Sequence, residues 1–99
     1  MNRWIVLALP VGGVSEGDDD ARTLVEIQGT AEEAQAALTH AVNTLDGRVR
    51  RARRREIFRC SDRSYFVRLH FRTVTQEFLV QLGELVHDSA SLPQAQPYL

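Results

Sequence analysis

The sequence has few of the residues that mark specialised protein classes. It contains no lysine, one cysteine (Cys60), three prolines and six glycines among 99 residues. A lone cysteine cannot build a disulfide framework and fits a reducing compartment, so we expect a cytoplasmic protein. The glycine and proline content excludes a collagen-like or linker-dominated chain. No apolar run reaches the roughly 18 residues of a membrane span, and the length excludes a two-domain enzyme.

All 12 basic residues are arginine, and they are distributed unevenly along the chain. Residues 1–46 contain two arginines and eight acidic residues, for a net charge of −6. Residues 47–72 contain ten arginines and two acidic residues (+8), whereas residues 73–99 contain three acidic residues and no arginine (−3). The formal net charge of −1 thus hides a strongly basic middle segment, which is the least generic feature of the sequence.

The first half of the chain predicts two strands followed by a helix. Residues 4–9 form a short, continuous apolar run, which is typical of a strand buried on both faces. Residues 22–28 alternate in a pattern that indicates a half-buried strand. Thr30 and Glu33 form the capping box that begins a helix, and apolar residues then recur at helical spacing as far as Leu45.

The second half predicts a β-hairpin followed by a second helix. Residues 53–60 and 64–73 have the composition of two strands joined by a turn at residues 61–64. Apolar residues between positions 73 and 90 recur at helical spacing, which predicts the helix.

We therefore predict one α+β domain over residues 1–90, with the element order β-β-α-β-β-α. Two helices would cover one face of a four-stranded, mainly antiparallel sheet and leave the other face to solvent or a partner. Residues 91–99 contain two prolines and are predicted to be a flexible C-terminal tail.

The predicted hairpin concentrates arginine on the sheet face turned away from the helices. A two- or four-residue turn places Cys60 opposite Tyr65, whereas a three-residue turn shifts this register by one. In the first register the outer face gathers the candidate partner-binding residues, which are Arg53, Arg55, Arg59, Phe66, Arg68, His70 and Arg72. Opposed like charges weaken a sheet, so we expect compensating anions. The candidate acidic counter-patch is Asp18, Asp19 and Asp20.

The leading hypothesis is a non-catalytic interaction domain that binds through this arginine-rich face. The partner would be a second copy in a homodimer, or another protein, and high salt would weaken such an ionic association. The alternative is that the same arginines bind nucleic acid or another anionic ligand, although the acidic first segment would repel phosphate. A solvated charged face and a small enzyme or ligand carrier with a pocket between sheet and helices are further possibilities.

No residues in the sequence have the spacing of a catalytic or metal site. His40, His70, His87 and Cys60 show none of the spacings of zinc motifs, and no cofactor motif is present. The predicted register puts Cys60 and His70 on opposite faces, so they could not act as nucleophile and base. We therefore predict no metal, no cofactor and no enzymatic activity.

Overall fold

The computed structural model of the chain describes residues 2–12, 21–46 and 51–90. The elements follow one another as β1 (Asn2–Pro10), β2 (Arg22–Gly29), α1 (Ala31–Thr44), β3 (Arg54–Ser61), β4 (Ser64–His70) and β5 (Thr75–Glu84). The five strands pair antiparallel in one sheet with the order β2-β1-β5-β4-β3. Between the edge strands β2 and β3, the chain crosses one face of this sheet as α1.

The capping box predicted for α1 is confirmed. The Glu33 backbone N–H donates to Thr30 Oγ1 at 3.1 Å, and the Thr30 N–H donates to Glu33 Oε1 at 2.8 Å. These bonds satisfy donors that the start of a helix otherwise leaves without partners. The buried side of α1 consists of residues spaced to face the sheet, namely Ala34, Leu38, Ala41 and Val42.

The core lies between α1 and the face of the sheet that the helix covers. Side chains alternate along a strand, so every second residue of β1, β4 and β5 points into this layer. These buried residues are Trp4, Val6, Ala8, Val67, Leu69, Phe78, Val80 and Leu82. The Trp4 indole N–H donates to the Gly29 carbonyl at 3.1 Å, so the indole is buried with its polar atom satisfied.

The segment predicted as the second helix is strand β5. The predicted order of elements is therefore wrong at its last member: the described residues form five strands and one helix, not four strands and two helices. The domain is still α+β. The apolar residues fit both periods, because Phe78 and Leu82 are four apart and also alternate with Leu79 and Gln81. Tertiary pairing decides between the two, since β5 pairs with β1 on one side and β4 on the other.

The hairpin of β3 and β4 keeps the predicted register only beside its turn. Ser61 pairs with Ser64, as a two-residue turn requires. A β-bulge between Arg59 and Ser61 then shifts the register by one, so Arg59 pairs with Tyr65. Because side chains alternate with a period of two, the shift moves each residue of β3 before the bulge to the face opposite the predicted one.

The two registers oppose different charged residues across the hairpin. The predicted register would set Arg55 opposite His70 and Arg53 opposite Arg72, which are unfavourable pairs of basic groups. The observed register sets Glu56 opposite Arg68 instead. The observed register still opposes two basic groups, Arg54 and His70, so what the bulge gains is the attractive pair of Glu56 and Arg68.

The predicted flexible tail, residues 91–99, lies outside the described residues. Within the ranges that are described, no helix has the length and apolar character needed to cross a membrane.

Candidate functional site

We call the side of the sheet turned away from α1 the open face. None of the described helices and strands packs on it, because all five strands belong to the sheet and α1 lies on the other side. Strand β1 contributes Ile5, Leu7 and Leu9 to this face, and all three are only half-buried. The continuous apolar run of β1 thus supplies a core on one side and an uncovered apolar surface on the other.

An apolar row crosses the open face through four strands, and we define it as Leu9, Leu79, Phe66 and Phe58. The pairing is direct at each step: Leu9 with Leu79, Leu79 with Phe66, and Phe66 with Phe58. The two phenylalanine rings lie 5.9 Å apart at a tilt of 54°. Phe58 on the edge strand is 46% exposed. A water-facing row of this kind is unusual, since the solvated face of an antiparallel sheet is ordinarily polar.

An ionic row lies beside the apolar row and consists of Glu77, Arg68 and Glu56. Arg68 Nε donates to Glu77 Oε2 at 3.0 Å, and its Nη1 donates to Glu56 Oε1 at 3.2 Å. These bonds to Glu77 and Glu56 raise the pKa of Arg68. The guanidinium carbon lies 5.4 Å from the ring centre of Phe58 and 5.6 Å from that of Phe66, within cation–π range.

Glu56 is the most heavily engaged carboxylate of this face. His70 Nε2 lies 2.7 Å from Glu56 Oε1, and Arg54 Nη2 donates to Glu56 Oε2 at 3.2 Å. The hydrogen bond with His70, and then the bond and charge of Arg68 and the charge of Arg54, lower the pKa of Glu56. The carboxylate is therefore held ionised between three basic side chains.

The open face is close to electrically neutral. By their positions on the strands, three arginines and three glutamates belong to it: Arg3, Arg54, Arg68, Glu26, Glu56 and Glu77. Among the described strand residues that point to the open face, the one other titratable side chain is His70. This balance differs from the strongly basic face that the sequence predicts.

The structure brings together only part of the predicted site. Phe66, Arg68 and His70 lie on the open face, as predicted. Arg55 and Arg59 pair with Leu69 and Tyr65 and therefore lie on the side of α1, so the register that placed them on the outer face is wrong. Arg53 and Arg72 flank the hairpin, before β3 and after β4. Asp18, Asp19 and Asp20 lie outside the described residues, so the acidic counter-patch stays a prediction.

Arg55 has a structural task in place of the predicted one. Its Nη1 donates to the carbonyls of Val42 (3.2 Å) and Leu45 (2.5 Å), and its Nη2 lies 3.5 Å from Asp46 Oδ1. A helix ends with carbonyls that lack partners, and α1 has no basic residue in its last turn. Arg55 supplies that missing cation from β3. Its positive charge also interacts favourably with the negative end of the helix dipole.

Sequence reasoning missed Glu56, Phe58, Glu77 and Leu79 as members of the outer face. The register predicted from sequence puts Glu56 and Phe58 on the core side of β3, and the predicted second helix contains Glu77 and Leu79. One signal was available: the uninterrupted apolar run of β1 indicates burial on both faces, which requires a layer on each side of the sheet.

Other kinds of site have less support in the described residues. A groove of about 560 Å³ lies between β2 and α1, and His40 and Asp46 are among its lining residues. The Asp46 carboxylate is already engaged, by the Ala52 N–H at 2.8 Å and by Arg55. Cys60 is an exposed free thiol at the bulge. Nowhere in the ranges 2–12, 21–46 and 51–90 do three His, Cys, Asp or Glu side chains meet in a group that could hold a metal ion.

Comparison of the chain with protein-family models, with curated proteins and with solved structures finds no match.

Proposed function

We propose that this chain is a non-catalytic interaction domain of the cytoplasm that forms a homodimer through the open face of its sheet. The observation that carries the proposal is the apolar row of Leu9, Leu79, Phe66 and Phe58, on which no described element packs. Covering such a row removes apolar surface from water, which is the main driving force of association.

The charge of the open face favours a second copy over a strongly charged partner. Two identical surfaces repel each other when each carries an excess of one sign, but here three arginines are matched by three glutamates. Arg68 enters the interface with two carboxylates already bonded to it. Its charge is therefore satisfied before association, which limits the desolvation cost that an unpaired buried cation would carry.

The dimensions of the sheet suit a symmetric sandwich. Five strands about 4.8 Å apart make a face about 24 Å wide, and seven residues of strand extend about 23 Å. The flat area is therefore about 550 Å² per partner, below the roughly 800 Å² of a standard interface, so we expect a weak dimer. Two such faces can pack about 10 Å apart with strands about 30° from parallel, around a twofold axis that pairs one apolar row with the other.

The test compares two neighbouring apolar residues that lie on opposite faces of β3. Phe58 is on the open face and 46% exposed, whereas Ile57 is on the side of α1 and 37% exposed. We expect Phe58→Gln to raise the dimer dissociation constant at least tenfold, because it removes an aromatic side chain from the interface. Ile57→Gln, the matched control, should leave the constant within about twofold. Sedimentation equilibrium or light scattering over protein concentration measures both.

Salt provides an independent readout. Association through an apolar row, with its ion pairs already formed inside each chain, should not weaken between 0.1 and 1 M NaCl, where the Debye length falls from about 10 Å to about 3 Å. A dimer that dissociates in high salt would instead indicate the ionic contact expected from sequence. The proposal fails if the protein stays monomeric at about 1 mM, or if Ile57→Gln disrupts the dimer and Phe58→Gln does not.

A further inference from the structure

A second surface lies along the edge of the sheet and differs in chemistry from the open face. We call it the basic edge and define it as Arg51, Arg53, Arg59 and Arg72, all of which are exposed. The Arg53 backbone N–H donates to the His70 carbonyl at 2.7 Å, and Arg72 follows His70 by two residues. Antiparallel pairing therefore brings Arg51, Arg53 and Arg72 to one end of the hairpin, with Arg59 further along β3.

Two acidic side chains of segments next to the basic edge, Asp46 and Glu56, are committed to other groups, and Asp62 in the hairpin turn forms no ion pair with any described residue. Asp46 binds Arg55 and the Ala52 N–H, and Glu56 binds Arg54, Arg68 and His70. Within residues 2–12, 21–46 and 51–90, no ion pair involves a guanidinium of the basic edge. The surface thus carries four positive charges that form no ion pair with a described carboxylate.

The geometry points to a linear phosphate polymer, and we propose that the basic edge binds the backbone of single-stranded nucleic acid. Arg53 immediately precedes β3 and Arg59 lies six residues further on within it, and an extended chain of that length spans about 20 Å. One phosphate cannot reach both, whereas a chain of phosphates can contact each in turn. Arginine offers a planar fork of donors that matches phosphate oxygens, and this contact reads no base sequence.

The basic edge can act whether or not the open face forms a dimer. Its arginines lie on the outer strand and at the end of the hairpin, outside the apolar row and the ionic row. A competing explanation is that charges on an edge strand only prevent edge-to-edge aggregation. That explanation predicts no affinity for nucleic acid beyond what any exposed arginine confers, and the experiment separates the two.

The experiment measures the anisotropy of fluorescein-labelled 20-nucleotide single-stranded RNA and DNA titrated with the intact protein. Four phosphate contacts predict a slope of about −2.8 in log affinity against log salt, so affinity should fall about 50-fold between 50 and 200 mM NaCl. The double variant Arg53→Gln/Arg72→Gln should bind more weakly at 50 mM NaCl and lose only about 7-fold over the same range, because two contacts remain.

The matched control is Arg22→Gln, which removes one positive charge from β2 at the opposite edge of the sheet and is compared with the single variant Arg53→Gln. Arg22→Gln should keep the salt dependence of the unmodified protein, whereas Arg53→Gln should lose about 18-fold in affinity over the same range because three contacts remain. Circular dichroism should show all variants folded. Equal losses in Arg22→Gln and Arg53→Gln would overturn the proposal, as would the absence of binding at 50 mM NaCl. Binding to phosphatidylserine-containing vesicles without binding to either oligonucleotide would overturn it in favour of a lipid surface.

Discussion

Replacing Arg55 by methionine removes the cation that β3 places at the end of α1. The substitution deletes the two hydrogen bonds from Nη1 to the Val42 and Leu45 carbonyls, together with the ion pair to Asp46. Methionine retains a flexible apolar stem, so the packing of the arginine stem is largely preserved. The variant therefore isolates the polar contribution of the guanidinium to the end of the helix.

The expected cost is about 2 kcal/mol in the free energy of unfolding. Hydrogen bonds to a charged group contribute about 1.5–3 kcal/mol, and two are lost here. The Arg55 side chain is 21% exposed, so water can reach the freed carbonyls and recover part of the loss. In a domain of this size about 1 kcal/mol corresponds to roughly 4–8 °C, so Tm should fall by about 8–16 °C.

Urea denaturation and thermal unfolding by circular dichroism measure the effect, with Arg53→Met as the control. Arg53 is exposed and two residues earlier in the chain, so its replacement should change stability by less than about 0.5 kcal/mol. Hydrogen exchange adds a local readout, because the Leu45 amide that donates to the Ala41 carbonyl should exchange faster in Arg55→Met alone. If the two variants unfold at the same denaturant concentration, the Arg55 guanidinium does not stabilise the end of α1 and this reasoning is refuted.

Two other substitutions test the ionic row and the start of the helix. Glu56 has a lowered pKa, so its ionised form stabilises the fold above its ordinary pKa, and this contribution is lost as the pH falls through the lowered value. Glu56→Gln should therefore lower the urea midpoint at pH 7, and its difference from the unmodified protein should shrink as the pH falls through that lowered pKa; a difference that is constant with pH would contradict this assignment. Thr30→Ala should lower the free energy of unfolding by about 1 kcal/mol, because it removes the acceptor of the Glu33 N–H. Thr39 is exposed within the same helix, so Thr39→Ala should lower it by no more than about 0.5 kcal/mol. Equal effects of the two threonine substitutions in chemical denaturation would rule out the capping contribution.

Sequence reasoning succeeds where the determinants of structure are local. The capping box at Thr30 and Glu33 sets the start of α1 through contacts three residues apart, and those contacts are present. Strand β1 is likewise found where its apolar run predicts it. In each case neighbouring residues contain the whole signal, so no knowledge of the rest of the fold is needed.

Strand β5 shows where local reasoning ends. Its spacing satisfies a helical stripe and a strand alternation equally, and the choice depends on β1 and β4, which lie far away in sequence or across a turn. Each of these two strands has a row of backbone N–H and C=O groups on the side toward β5, and only another strand can pair with all of them. A helix at this position would leave those backbone groups without partners in the middle of the sheet, at a cost larger than any difference in intrinsic propensity.

The candidate site depends on one residue at the bulge. If Cys60 paired with Tyr65, as the predicted register has it, Arg55 and Arg59 would lie beside Arg68 on the open face. That face would then carry a net positive charge that favours an anionic partner. With Cys60 in the bulge, Glu56 takes a place beside Arg68, Phe58 extends the apolar row, and Arg55 turns to the helix. Each register costs or gains tenths of a kcal/mol per opposed pair, so the hairpin sequence cannot decide between them. The larger contribution comes from Arg55, which in the observed register bonds to the carbonyls at the end of α1. The same register leaves the open face apolar and close to neutral. The arginines without ion pairs lie on the basic edge.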